Sequence, residues 1–333
     1  MVVAQLLLML LVILIAAEVF TNALEHLGER LQISEGVTGS VFAAVGTALP
    51  ETMVPLLAIF AGTSNTTLNQ EIGVGAIFGA PLMLSTLSIC LMAFFVLKKR
   101  GLRGYFNPER SGLRRDLNFF LGAFTVSGVA LFVPHETPLV RGVLALVMVL
   151  IYFVYLMLTL RASTALVKDG HGTEAHEPMF LSRLGLPENL GVILLQLALG
   201  LVLLVAGAKG FIHGIADAST IFGISALLLS LMVIPIATEL PEKVNSILWI
   251  RRHKDTLAFD NITGAMVFQG TLLPAIGIML TPWAPQREVL AGIVVTLLAT
   301  LWLRLMLSRG QLQVWHLGVN GLLYLTFLLI SLS

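Results

Sequence analysis

Gly46-Thr47-Ala48-Leu49-Pro50-Glu51 lies in the first half of the chain, and Ala237-Thr238-Glu239-Leu240-Pro241-Glu242 lies in the second. Each stretch sits inside a long apolar segment, where a carboxylate and a proline are both costly. An ionisable side chain at membrane depth marks a functional site by default. A proline at that depth frees backbone carbonyls, which are tolerated only against protein or a polar cavity. One such place in each half predicts a single site assembled by two repeats.

The flanking sequence supplies the membrane. Of 333 residues, 57% are hydrophobic and 12% charged, against about 25% charged in soluble domains. The chain therefore reads as an all-α polytopic membrane protein in contact with the lipid bilayer. Its net charge of +1 gives no case for nucleic-acid binding. It carries no His-Glu-x-x-His, no Gly-x-Ser-x-Gly and no nucleotide-binding glycine motif, so no enzyme, nucleotide partner, ATP-driven step or cofactor is expected. The single cysteine, Cys90, excludes an intrachain disulfide. Met1 to Ala17 lacks the basic start of a signal peptide and its apolar run continues to about Leu24, so it is read as the first spanning helix.

A span needs about 20 apolar residues. Ten are predicted, at 2–24, 35–61, 70–97, 115–134, 138–160, 189–211, 222–250, 258–281, 287–307 and 313–332. The alternate loops on one side hold sixteen Lys and Arg residues, and those on the other hold three, Arg141, Lys209 and Arg287. By the positive-inside rule, both termini then lie outside the cytoplasm. The compact frame points to a bacterial-type inner membrane. Residues 1–160 form a first five-helix repeat, 161–188 a cytoplasmic linker, and 189–333 a second repeat. An odd number of spans per half inverts one half against the other. A shift of 191 places Ile33-Ser34 on Ile224-Ser225, Thr47 on Thr238, and Leu49-Pro50-Glu51 on Leu240-Pro241-Glu242. Further on, a shift of 185 places Gly79-Ala80 on Gly264-Ala265.

These residues resemble the cation/calcium antiporter superfamily, that of the sodium–calcium exchangers. Its repeats carry Gly-Thr-Ser-x-Pro-Glu, followed by a second helix with Gly-Asn-x-x-Gly-Ser-x-x-x-Asn or Asp. The matching stretches are 46–84 in the first half and 237–269 in the second. The resemblance implies cation-binding carboxylates at Glu51 and Glu242 and oxygen ligands at Thr47 and Thr238, with Gln269 and Glu239 as further oxygens. The pattern departs from the family elsewhere. Its signature serines fall on Ala48 and Glu239, its second-helix serines on Ala80 and Ala265, and its second-helix Asn or Asp ligands on Leu84 and Gln269. Ca²⁺ takes six to eight oxygens at about 2.3–2.6 Å, so a family-type set of four sites is not expected to survive intact.

Lys243 admits two readings. It pairs with Glu239 four residues before it, leaving Glu242 free, or it pairs with Glu242 and occupies the cation's place. Asn261 stands between ligand and structural hydrogen-bond partner, whereas Asn245 and Asp260 are read as structural. Glu18 and Lys209 are read as a salt bridge or interfacial pair. His171, Glu174, His176 and Glu177 carry little weight as a metal sensor. The basic loop 98–115 is read as an orientation determinant. The expected function is a secondary cation antiporter, exchanging Ca²⁺ or another cation for Na⁺ or H⁺ by alternating access. Glu51 and Glu242 would face each other there, each at a helix break. The rivals are a monovalent cation/proton antiporter and a non-transporting membrane scaffold or receptor. Oligomeric state is not legible.

Overall fold

The computed structural model describes residues 2–30, 43–167 and 178–332. The elements are α1 (Val2–Arg30), α2 (Ala43–Ala61), α3 (Thr66–Arg100), α4 (Arg110–Ala130), α5 (Pro138–Val167), the short α6 (Phe180–Arg183), α7 (Leu190–Phe222), α8 (Ala226–Thr238), α9 (Leu240–Arg251), α10 (Asp255–Leu280), α11 (Arg287–Arg309) and α12 (Val314–Leu332). The all-α expectation holds apart from a two-residue ladder. Tyr105–Phe106 pairs antiparallel with Leu312–Gln313.

Seven of the described helices are long and apolar enough to cross a membrane. The remaining expected spans differ from that pattern for local reasons. The second, expected at 35–61, falls partly outside the described residues. The fourth begins with Arg110, Arg114, Arg115 and Asp116, so its first turns are polar. The seventh, expected at 222–250, is two helices, α8 and α9. They meet at Glu239, whose φ of −91° and ψ of 4° cap both. Pro241 follows and has no N–H to offer the carbonyl a turn earlier. The first repeat behaves differently. α2 runs unbroken through Pro50 and Pro55, so the break expected beside Glu51 is absent. α7 exceeds its expected end and covers 33 residues, about 50 Å at helical rise. It stops at Gly223, which adopts the left-handed φ of 66°, and Ser225 then caps α8 by accepting from the Leu228 N–H at 3.1 Å.

Helix neighbours recur between the halves. α2 packs on α3 as α9 packs on α10, and α10 lies against α4 and α5 as α3 lies against α11 and α12. One apolar core fills the space among α3, α4 and α10 to α12. A second joins α1, α2, α7 and α8. The long α1–α7 contact rests on glycines spaced by seven. A Cβ at Gly200 would lie 2.9 Å from Phe20 Cβ, at Gly207 3.0 Å from Ile13 and Val12, and at Gly214 2.8 Å from Leu6. Small residues let membrane helices approach this closely. The α3–α8 contact uses the same device. A Cβ at Gly79 would lie 2.3 Å from the Leu231 carbonyl oxygen.

At the basic end of α3, Arg100 forks onto Asp255. Its two terminal nitrogens reach Oδ1 at 2.7 Å and Oδ2 at 3.0 Å, and also donate to the carbonyls of Ile250 and Tyr105. The Asn107 N–H donates to Asp255 Oδ2 at 2.8 Å. This knot ties the ends of α3 and α9 to the start of α10.

Candidate functional site

α2 and α9, from opposite halves, bring Glu51 and Glu242 together. They are 5% and 4% exposed, and their carboxyls lie close enough to act on each other. Two carboxylates so placed repel each other unless a proton or a cation comes between them. Glu239, at the α8–α9 break, is fully buried and accepts from Gln269 Nε2 of α10 at 2.8 Å. Four acceptor atoms here are buried without a hydrogen-bond partner: Glu51 Oε1, Glu239 Oε2, Glu242 Oε2 and Gln269 Oε1. Burying an acceptor unpaired is costly. A cation satisfies several such oxygens at once.

The sequence-derived residues thus converge, with qualifications. Glu51, Glu242, Glu239 and Gln269 share one buried region. Thr238 is also buried, but its hydroxyl donates to the Ile234 carbonyl of its own helix at 3.3 Å. The Thr47 side chain lies outside the described part. Among the described residues, no three of His, Cys, Asp and Glu are arranged as a ready metal cage. His171, Glu174, His176 and Glu177 lie outside the described residues.

Lys243 follows neither of its expected pairings as a direct ion pair. Ion pairs do form elsewhere, at Arg100–Asp255 and Arg115–Asp116. The Lys243 ammonium instead donates to the Pro235 carbonyl at 2.8 Å and to Met83 Sδ at 2.9 Å. The helix break turns α9 so that its side chain runs back along α8. Asn261 resolves as a clamp. Its Nδ2 donates to the Glu242 carbonyl at 3.0 Å and to Ser246 Oγ at 2.9 Å. Glu18 and Lys209 are both exposed on the helix surface and form no ion pair among the described residues.

The sequence pattern of the family described as sodium/calcium exchanger protein matches residues 1–161 and 192–333. The chain belongs to the sodium/calcium exchanger family. That makes it a multi-pass membrane protein of a family of secondary transporters, and not an enzyme. Among curated relatives, "Putative antiporter CaxA" of Alkalimonas amylolytica is 27% identical over 286 residues, covering 82% of this chain and 79% of the relative. "Inner membrane protein YrbG" of Escherichia coli K12 is 24% identical, covering 82% and 78%. The H⁺/Ca²⁺ exchanger CAX shares the fold with a TM-score of 0.71 at 20% identity, over 98% of this chain and 82% of that one. The sodium-calcium exchanger NCX_Mj does so with a TM-score of 0.58 at 18% identity, over 98% and 97%.

Against the family pattern, this member has features that sequence reasoning missed. α3 contains a π-helical turn, Leu84–Ser88, just after Pro81. π-turns concentrate at functional sites. Its Ser85 carbonyl is taken by Asn320 Nδ2 of α12 at 2.7 Å. Pro81 was the available signal. A second polar group joins α4 to α10, where the Thr263 hydroxyl donates to Asp116 Oδ2 at 2.8 Å. Its only mark in the sequence was an aspartate near the start of a span.

Proposed function

We propose that the chain is a secondary active antiporter of the inner membrane that exchanges Ca²⁺ or another cation for Na⁺ or H⁺ at Glu51 and Glu242. The observation that carries this is the approach of two buried carboxyls, one from each half of the chain, each with an oxygen left without a hydrogen bond. A proton and a cation would compete for the same oxygens, which is the condition for antiport. Glu239, Gln269, Thr238 and Thr47 complete the oxygen set. The inverted five-helix halves, with both termini outside the cytoplasm, supply alternating access. α1 and α7, joined by their glycine seam, move against the remaining helices.

A monovalent cation/proton antiporter is the second reading. It is favoured by Lys243, which already brings one positive charge among the carboxyls. Reconstitution in vesicles, with Ca²⁺, Na⁺ and H⁺ followed under imposed gradients, separates the two. Ca²⁺ flux lost in Glu51→Gln and Glu242→Gln supports the first. Proton-coupled Na⁺ flux without Ca²⁺ movement supports the second. Flux unchanged by both substitutions sinks the site, and no flux of any cation leaves the scaffold reading standing.

A further inference from the structure

Three buried carboxyls face a single ammonium. Glu51 approaches from α2, while Glu239 and Glu242 lie on the same broken helix as Lys243, and all three interact electrostatically with it, Glu239 most strongly. α10 presents the neutral Gln269, and α3 presents the neutral Met83. Lys243 is 6% exposed. An ammonium so far from water needs compensation of its charge and acceptors for its protons.

The acceptors it has are informative. A main-chain carbonyl at 2.8 Å and a thioether sulfur at 2.9 Å hold it. The carbonyl belongs to Pro235, in the last turn before the helix break, where it also accepts the Glu239 N–H at 3.2 Å. Carbonyls in the last turn of a broken helix are groups with which transporters hold small monovalent cations. Lys243 reaches that carbonyl from eight residues along the chain. Meanwhile Glu239 takes a neutral donor on one oxygen and leaves the other without a hydrogen bond. Its carboxyl meets the ammonium across space rather than by contact.

We propose that Lys243 is a resident cation of the transport site: its tethered ammonium holds a monovalent-cation position beside Pro235, balances Glu239, and leaves Glu51 and Glu242 as the carboxyls that engage the exchanged ions. This rests on the reading of the site as a cation exchanger's. Lys243 is then a specificity-determining residue. It sets how many mobile cations the site holds, and it removes one monovalent position without removing the oxygens that define it.

The test is equilibrium binding of radiolabelled Na⁺ and radiolabelled Ca²⁺ to the full-length chain in nanodiscs. Wild type, Lys243→Met, Lys243→Gln and the double variant Glu239→Gln/Lys243→Met are compared. Each variant is first checked for a monodisperse elution profile. Removing the ammonium vacates a position beside the Glu239 carboxyl, which keeps one oxygen without a hydrogen bond. Lys243→Met and Lys243→Gln should therefore bind one more Na⁺ per protein than wild type and gain a Na⁺-dependent rise in melting temperature. The double variant, with the charge of Glu239 also gone, should return to the wild-type Na⁺ count. A lysine that merely filled space would move stability without moving that count. Should Lys243→Met fold only in the presence of Na⁺, the inference gains support.

Equal Na⁺ counts in wild type and both single variants, with Ca²⁺ still bound, overturn the role of Lys243 alone. An extra Na⁺ that persists in the double variant overturns the assignment to Glu239. Absence of Na⁺ and Ca²⁺ binding in every protein, wild type included, overturns the exchanger reading and the inference with it.

Discussion

The Arg100–Asp255 knot offers a prediction whose size follows from its geometry. The two side chains are 7% and 9% exposed, and the guanidinium meets the carboxylate with two nitrogens. Removing one partner of a buried pair costs about 3–5 kcal/mol, chiefly because the survivor is left uncompensated. The survivors here are unequal. In Asp255→Leu, Arg100 keeps the carbonyls of Ile250 and Tyr105 and its place over the Phe106 ring, so the loss should sit near 3 kcal/mol. In Arg100→Leu, Asp255 keeps the Asn107 N–H, and the loss should approach about 5 kcal/mol. The double replacement leaves no stranded charge and should cost less than either single change. Thermal or denaturant unfolding in detergent micelles, run as a double-mutant cycle, measures this. Losses that simply add, to within about 0.5 kcal/mol, would refute the coupling.

Other outcomes follow from the same contacts. Gly207→Leu forces α1 and α7 apart where a Cβ alone would already lie 3.0 Å from Ile13; cation flux in vesicles should fall steeply, with about 1–3 kcal/mol of overpacking visible in the melting curve. Asn261→Leu deletes both bonds of the α9–α10 clamp. At about 0.6 kcal/mol per membrane hydrogen bond, it should cost roughly 1 kcal/mol of stability and weaken cation binding several-fold in the nanodisc assay, whereas unchanged binding would show that Glu242 needs no such support. Glu109 lies outside the spans, where burial pushes its carboxyl up but the Gly112 and Ser111 N–H groups and Arg115 outweigh it, leaving it below the ordinary glutamate value. Its cap therefore stabilises above that value and is lost as pH falls through the lowered one. The melting-temperature gap between wild type and Glu109→Gln should be full near neutrality and close in acid.

Part of this architecture was legible because charge in an apolar run has so few explanations. Glu51 and Glu242 announced themselves in that way, and the repeated Pro-Glu placed them in opposite halves. Gln269 came from the resemblance to the family's second-helix pattern, and the structure finds it on Glu239. The remainder depended on relations that no local pattern records. Whether proline breaks a helix depends on the helix's neighbours: α2 carries Pro50 and Pro55 without interruption, whereas the second repeat yields at Glu239. The direction of Lys243 follows from that break and from Met83, 160 residues away. Arg100 read as one of a basic cluster because its carboxylate partner is 155 residues distant. The glycines of α7 were plain in the sequence, but their spacing acquired meaning only with α1 beside them.

The unequal treatment of proline has a kinetic consequence. In an exchanger made of identical inverted halves, swapping their conformations would turn the inward-facing state into the outward-facing one at no cost in energy. Here one half presents its glutamate on a continuous rod, and the other presents its glutamate just past a joint. The joint also carries an additional acid and a base. No operation exchanges the two, so nothing holds the end states at equal energy, and the empty carrier should rest on one side. Ion affinities measured from opposite faces of the same vesicle should accordingly be different numbers, and the exchanger should run more readily in one direction than in the other.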